Sequence, residues 1–165
     1  MKIFSNKFFI NLTHEAHNSP RKRFSVNIHK EFKDPCQRLF NVICLTSYIQ
    51  PHRHSLDPKD ECLIAIKGLF ALIIFDDSGS ISKVLKFGSE SYRSENINFG
   101  VEIPSTVWHT VISLVEDSVL FEVKRGPFNP TSSKDFAIWA PSEGSLGSDQ
   151  YLSFLKESVC HMTDE

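Results

Sequence analysis

No apolar run in this chain reaches the roughly 18 residues that a helix needs to cross a bilayer. Nor is there an excess of basic charge. Eighteen lysine and arginine side chains stand against twenty aspartates and glutamates, for a net charge of −2, so no global field favours nucleic acid or an anionic membrane. Cysteine is sparse: Cys36, Cys44, Cys62 and Cys160 show neither a CxxC pair nor the spacing of a secreted disulfide framework. Reduced thiols in a cytoplasm are the expectation. The first residues, MKIFSNKFFINLTHEAH, carry an early lysine, but Ser5, Asn6, Lys7 and Asn11 break the apolar stretch and no small-residue cleavage site follows. The segment reads as mature protein. No fixed-period repeat, low-complexity tract or long linker divides the chain.

What is present suits a globular domain. At 165 residues, with 41% hydrophobic content and fourteen phenylalanines, one domain can bury a sizeable core without staples. Phe8, Phe9, Leu12 and Ala16 recur at helical spacing behind Ser5, a candidate N-cap, and Ser19-Pro20 ends the pattern. From Phe24 onward the texture changes to short runs of β-branched and aromatic residues. Strands are expected at residues 24–29, 38–48, 61–66, 69–75, 81–87, 98–103, 109–114 and 119–124. Asp76-Asp77-Ser78-Gly79 and Glu116-Asp117 supply turn chemistry between neighbouring runs. Short strands at close spacing, with one or two helices, predict an all-β antiparallel barrel or sandwich. The expected organisation is an N-terminal helix and arm at residues 1–23, a barrel at 24–128 and a C-terminal extension at 129–165 that packs on the barrel or frays, with a weak helical pattern over 151–159.

The chemistry concentrates in PHRHSLDPKDE, residues 51–61. In an extended strand residues i and i+2 project from one face, so His52 and His54 can aim their rings at one ion. Six residues later Glu61 can return beside them on the next strand, while Asp57 to Asp60 make the turn. A third histidine, His109, heads another strand after Pro104. Three neutral imidazoles and one carboxylate suit a divalent transition metal, Fe, Mn, Ni, Co or Zn, and leave room for water or substrate.

His52, His54, Glu61 and Gly68, followed at a distance by Pro104 and His109, resemble the two motifs of the cupin superfamily, whose double-stranded β-barrel, or jelly roll, carries three His and one Glu on a metal. GVEIPSTVWH, residues 100–109, is similar to the second motif, with Thr106 where cupins usually have glycine. The turn there must therefore differ or be strained. Within cupins, SPRKRFSVNIH, DPCQRLFN, SYIQPHRH, VWHTV, FEVKRGPF and WAPSEG resemble the WbuC family of cupin-fold metalloproteins, over about Leu12 to Gly144. That resemblance implies a bacterial protein encoded beside genes for O-antigen or other surface polysaccharide synthesis. It implies no particular reaction.

Other residues offer two readings each. Arg21 and Arg23, and Asn27 and His29, share faces at and before the first strand. They form either a polar outer face or a barrel mouth that binds a carboxylate, a phosphate or sugar hydroxyls. On the strand at 119–124, Glu122 and Lys124 oppose an apolar set: facing solvent they are an ordinary ion pair, and facing the lumen they are a candidate general base and its electrostatic partner. Tyr48 lies at i−4 from His52 and is a second candidate acid or wall. Trp108 suits core packing, and Trp139 suits a cover at one end of the barrel. The expected ligand is a small molecule, a sugar or sugar nucleotide, acted on by isomerase, epimerase or lyase chemistry with the metal as Lewis acid. An iron dioxygenase and a non-catalytic module binding a saccharide or small acid are the alternatives. Neither nucleic acid nor membrane is expected as partner, and a homodimer through an edge strand is compatible with the barrel.

Overall fold

The leading helix forms where Ser5 can cap it. In a computed structural model, which describes residues 1–94 and 97–162, α1 (Asn6–Asn18) starts with the Ser5 hydroxyl oxygen accepting the Phe8 N–H at 3.3 Å. Its buried positions, Leu12 and Ala16, are those that the helical spacing selects. The last three residues of the expected C-terminal extension lie outside the described residues.

Strands among the described residues make two antiparallel sheets. The first holds β1 (Arg23–Asn27), β2 (Cys36–Ile43), β4 (Glu61–Lys67), β7 (Gly100–Ile103) and β9 (Ser118–Arg125) in the order β1-β2-β9-β4-β7. The second holds β3 (His52–Arg53), β5 (Leu69–Phe75), β6 (Ile81–Gly88), β8 (Trp108–Ser113) and β10 (Asp135–Phe136) in the order β10-β3-β8-β5-β6. This is the expected all-β jelly roll with its short N-terminal helix. A C-terminal helix, α2 (Ser148–His161), follows a largely irregular segment.

Each sheet is covered on part of its outer face as well as on its inner one, which explains runs such as LFALIIF on β5 that show no polar alternation. On the outer face of the first sheet, Phe40, Val42 and Val119 pack against Leu12 and Ala16 of α1. On the outer face of the second, Ala71, Ile73 and Phe75 pack against Leu152, Leu155 and Val159 of α2. Full burial of the Leu, Ile, Val and Phe side chains among them stabilises by about 1.5–3 kcal/mol apiece. Between the sheets, Phe70, Leu72, Phe87 and Leu120 close one end of the lumen. The chain changes sheets at Gly68, with φ +86°, where an added Cβ would stand 2.2 Å from the Ser118 hydroxyl oxygen. Only glycine fits that corner.

Two expectations need correction here, and two strands lie outside the expected set. The run at 38–48 is not one strand: β2 stops at Ile43, because Ser47 N–H turns back to the Cys44 carbonyl at 3.0 Å. The two-residue strands β3 and β10 are too short to carry a periodic signal. Trp139 does not cover a barrel end but lies outside the second sheet, against Phe75 at 5.0 Å between centroids. Among the described residues no helix is long and apolar enough to cross a membrane.

Candidate metal centre

Strand register brings the histidines together. His52 on β3 stands opposite His109 on β8, and their ring centroids lie 4.6 Å apart. His54, two residues on, is held in line by its N–H on the Ser105 carbonyl at 2.7 Å. Across the lumen Glu61 opens β4 opposite Lys124 and Ile103, with its carboxylate oxygens 3.5 Å from His54 Nε2 and 3.6 Å from His109 Nε2. All four side chains are buried, and their donor atoms lie within 4.8 Å of one another.

The hydrogen-bond pattern fixes what these groups offer. The Nδ1 atoms of His52, His54 and His109 sit 2.9, 2.6 and 2.9 Å from the carbonyls of Gln50, Ser133 and Val107. A carbonyl can only accept, so each Nδ1 carries the proton and each Nε2 presents a lone pair. The Nε2 atoms of His54 and His109 are buried without a hydrogen-bond partner among the described residues. Two orphaned lone pairs beside a carboxylate are unfavourable in a dry site unless a cation joins them. The residues present therefore fit one divalent transition metal, and carbonyls that orient imidazoles are the usual second layer of such sites. Burial pushes the His52 imidazolium well below its ordinary range, leaving the neutral form that metals bind. Burial alone would raise the Glu61 carboxyl, but the Lys124 ammonium holds it well below the usual carboxylate range.

Glu122 and Lys124 face the lumen, because the alternate residues Val119 and Phe121 are taken up by the α1 side. The Lys124 ammonium donates to Glu61 at 2.9 Å and lies 2.8 Å from Glu122. Burial, then the charge of Glu61, pushes the Glu122 carboxyl up to about 7. For Lys124 the two carboxylates outweigh burial and keep the ammonium charged.

Above the centre the lumen opens into two joined chambers. The inner one, about 70 Å³, is lined by His52, Glu61 and His109 together with Ile49, Leu63 and Val111. The outer one, about 340 Å³, is at the lower end of ordinary ligand pockets. Asn41, Glu122, Lys124 and Lys134 line both. Arg21, Arg23, Asn27 and His29 all line the outer chamber.

Two of these placements change the roles that the sequence suggests. Arg23 is already engaged, with both Glu143 oxygens at 2.6 Å and the Tyr48 carbonyl at 2.8 Å; it is a buried brace. Tyr48 is not at the centre. Its hydroxyl donates to the Pro141 carbonyl at 2.8 Å, and its ring meets Tyr151 of α2, since the chain has left the strand before it. Trp108 has the Arg53 guanidinium 4.2 Å over its ring and packs on Trp139, as a packing residue would. Thr106 is not among the left-handed residues; the Val107 N–H closes a turn on the Pro104 carbonyl at 3.1 Å instead. Asp60 does more than make a turn, since it accepts the Ser105 N–H at 2.9 Å and braces the loop before His109.

Asn41 and Lys134 escape sequence reading. Asn41 could have been found, because it alternates with Phe40 and Val42 on β2. Lys134 could not, because it lies in an irregular stretch with no period.

The fold and this centre define a cupin jelly roll with a buried His/Glu cluster able to hold a metal ion. By sequence the chain belongs to a family described as a domain of unknown function (DUF6016), whose profile matches residues 4–87. That span contains His52, His54 and Glu61 but not His109 or Glu122. No curated protein matches the chain. Among solved structures, protein SO0799 from Shewanella oneidensis is similar at 10% identity over 81% of this chain and 85% of that one, with a TM-score of 0.57. The capsular polysaccharide assembling protein CapF from Staphylococcus aureus is similar at 17% identity over 72% of this chain, with a TM-score of 0.53. The match spans 32% of CapF, about a third of its length.

Proposed function

We propose that the chain is a metal-dependent cupin acting on a sugar or sugar-derived small molecule, in the surface polysaccharide setting that the WbuC-like segments imply. The observation that carries this reading is the convergence of three Nε2 lone pairs and the Glu61 carboxylate at the floor of a small inner chamber that opens into a ligand-sized outer one. Likeness in fold to a capsular polysaccharide assembling protein is consistent with it. His52, His54, Glu61 and His109 would hold one divalent ion drawn from Fe, Zn, Mn, Ni and Co. When bound, that ion supplies Lewis-acid polarisation of a carbonyl or hydroxyl oxygen.

The protein's own residues do the rest. Glu122, with a carboxyl near 7, takes up or returns a proton at neutral pH, which suits a general base. Lys124 spans Glu61 and Glu122, keeping the first ionised and the second in place. Ile49, Leu63 and Val111 keep bulk water from the inner chamber.

Elemental analysis of the purified protein, joined to proton NMR in D2O with UDP-glucose, UDP-galactose and the free hexoses, tests the reading. The expected result is about one metal per chain, and product or exchange signals that vanish with EDTA and in Glu122→Gln. Protein that stays metal-free after reconstitution would overturn it. Oxygen uptake by an iron-loaded protein would replace the Lewis-acid reading with a dioxygenase.

A further inference from the structure

We infer that the outer chamber is an oxyanion subsite, so that the ligand is a hydroxylated small acid, bearing a carboxylate or a phosphate, which reaches from this subsite toward the metal centre. The inference rests on the reading above for its metal end and on separate residues for its anionic end.

His29 is the first of these. It is 6% exposed and lines the outer chamber. Its Nδ1 lies 3.0 Å from both the N–H and the carbonyl of Arg38. The Arg38 N–H can only donate and is aimed at Nδ1, so Nδ1 is the acceptor and the ring proton sits on Nε2. That Nε2–H is buried without a partner among the described residues. A buried donor of this kind calls for an acceptor from outside the chain.

Charge supplies the second observation. Of the four cations that line the outer chamber, Arg23 is neutralised by Glu143, and Lys124 by Glu61 and Glu122. Arg21 approaches Glu143 only at 4.0 Å and is 61% exposed at the rim. Lys134 is half-buried and lines both chambers, and among the described residues its ammonium makes neither an ion pair nor a hydrogen bond. Four cations face three carboxylates here, so the chamber keeps a net positive charge; Lys134 has no ion pair of its own among the described residues, and a buried N–H is left over in the same concave, partly desolvated space, which favours an oxyanion over a neutral sugar.

Asn41 stands between the anionic end and the metal. Its carboxamide oxygen is buried without a partner among the described residues, and it lines both chambers. It would accept from a ligand hydroxyl. Across the sheet, β1 is separated from β4 by β2 and β9, about 14 Å of strand spacing. The ligand must therefore carry several atoms between its anion and the oxygen aimed at the metal.

Calorimetric titration of the metal-loaded full chain with glucuronate, glucose 6-phosphate and glucose tests this inference. One of the two anions should bind at least about tenfold more tightly than glucose, and which one does so separates carboxylate from phosphate. Lys134→Met should abolish that preference with metal content unchanged, whereas Lys134→Arg should keep it. Equal binding of all three probes, no binding of either anion, or a Lys134→Met protein that binds like the parent would overturn the subsite. A thermal melt of each variant excludes misfolding as the cause. Metal analysis on the same samples separates the two readings: metal-free protein that still prefers an anion overturns the Lewis-acid reading and keeps the subsite, while metal-loaded protein without preference does the reverse.

Discussion

His52→Ala removes one of three imidazoles from a centre whose remaining donors are fixed by backbone carbonyls. Those carbonyls hold His54 and His109 in place whether or not His52 is present, so the loss falls on metal affinity more than on the fold. At a metal concentration 100 times Kd, binding to the folded state stabilises by about 2.7 kcal/mol. For a chain of 165 residues, about 2–4 °C per kcal/mol turns this into a rise in Tm of about 5–11 °C. Disturbing a group that merely orients a ligand weakens metal sites by about 10–100-fold, and removing the ligand itself should reach at least the upper figure. The same metal concentration then sits near Kd for the variant, leaving about 0.4 kcal/mol, or about 1–2 °C. Thermal melts of parent and variant with and without Zn, Ni, Co or Mn, paired with elemental analysis, measure both quantities. A variant that kept the parent's metal-induced rise and its metal content would refute His52 as a ligand.

Three further outcomes follow from named contacts. Glu143→Ala strands the Arg23 guanidinium, 8% exposed, and should lower Tm by the equivalent of about 2–3 kcal/mol, less than a fully buried pair because Glu143 is partly solvated; Arg23→Met in that background should restore part of it. Tyr48→Phe removes one hydrogen bond to the Pro141 carbonyl, lowering stability by about 1 kcal/mol in a thermal melt while metal content stays at the parent value. Asp135 accepts from Arg53 at 2.8 Å and from Ser55 at 2.9 Å, and the Arg53 contact holds its carboxyl below the usual range. The unfolded chain therefore takes up the proton first as pH falls, so this contribution is present above pH about 4 and is lost below it. Asp135→Asn should be destabilised by about 1 kcal/mol at pH 7, discounted for partial exposure, and urea melts should show the gap from the parent narrowing as pH falls below about 4.

The strands that could be read were those whose alternation is imposed by two different neighbours. On β9, Val119 and Phe121 answer to α1, and that alone decides that Glu122 and Lys124 turn inward. The sequence shows the alternation but not which face is the lumen, because both faces of a helix-covered sheet can be apolar. The HxH pair and Glu61 were legible because a period of two and a short turn suffice to bring them together. Lys134 was not, because its position comes from pairing at β10, where two residues, Asp135 and Phe136, stand opposite Arg53 and His52. Tyr48 was misplaced for a related reason: period-two counting fails once the Cys44 to Ser47 turn breaks the strand.

That β10 pairing joins metal and ligand subsites in one element. The segment before it supplies the Ser133 carbonyl that fixes His54, and the next residue, Lys134, lines both chambers. β10 itself is tied to β3 through Asp135 and Arg53, beside His52. Loosening this one short strand would therefore weaken the orientation of a metal ligand and displace a chamber cation together. A mutation at Asp135, which is not one of the four candidate ligands and lines neither chamber, should then lower metal affinity as well as stability. Arg21 lies in the turn before β1, outside β10 and the strands that carry the histidines, so Arg21→Ala should leave metal affinity alone. Metal titrations of Asp135→Asn and Arg21→Ala decide whether β10 couples the two subsites: equal effects of the two substitutions on metal affinity would show that it does not.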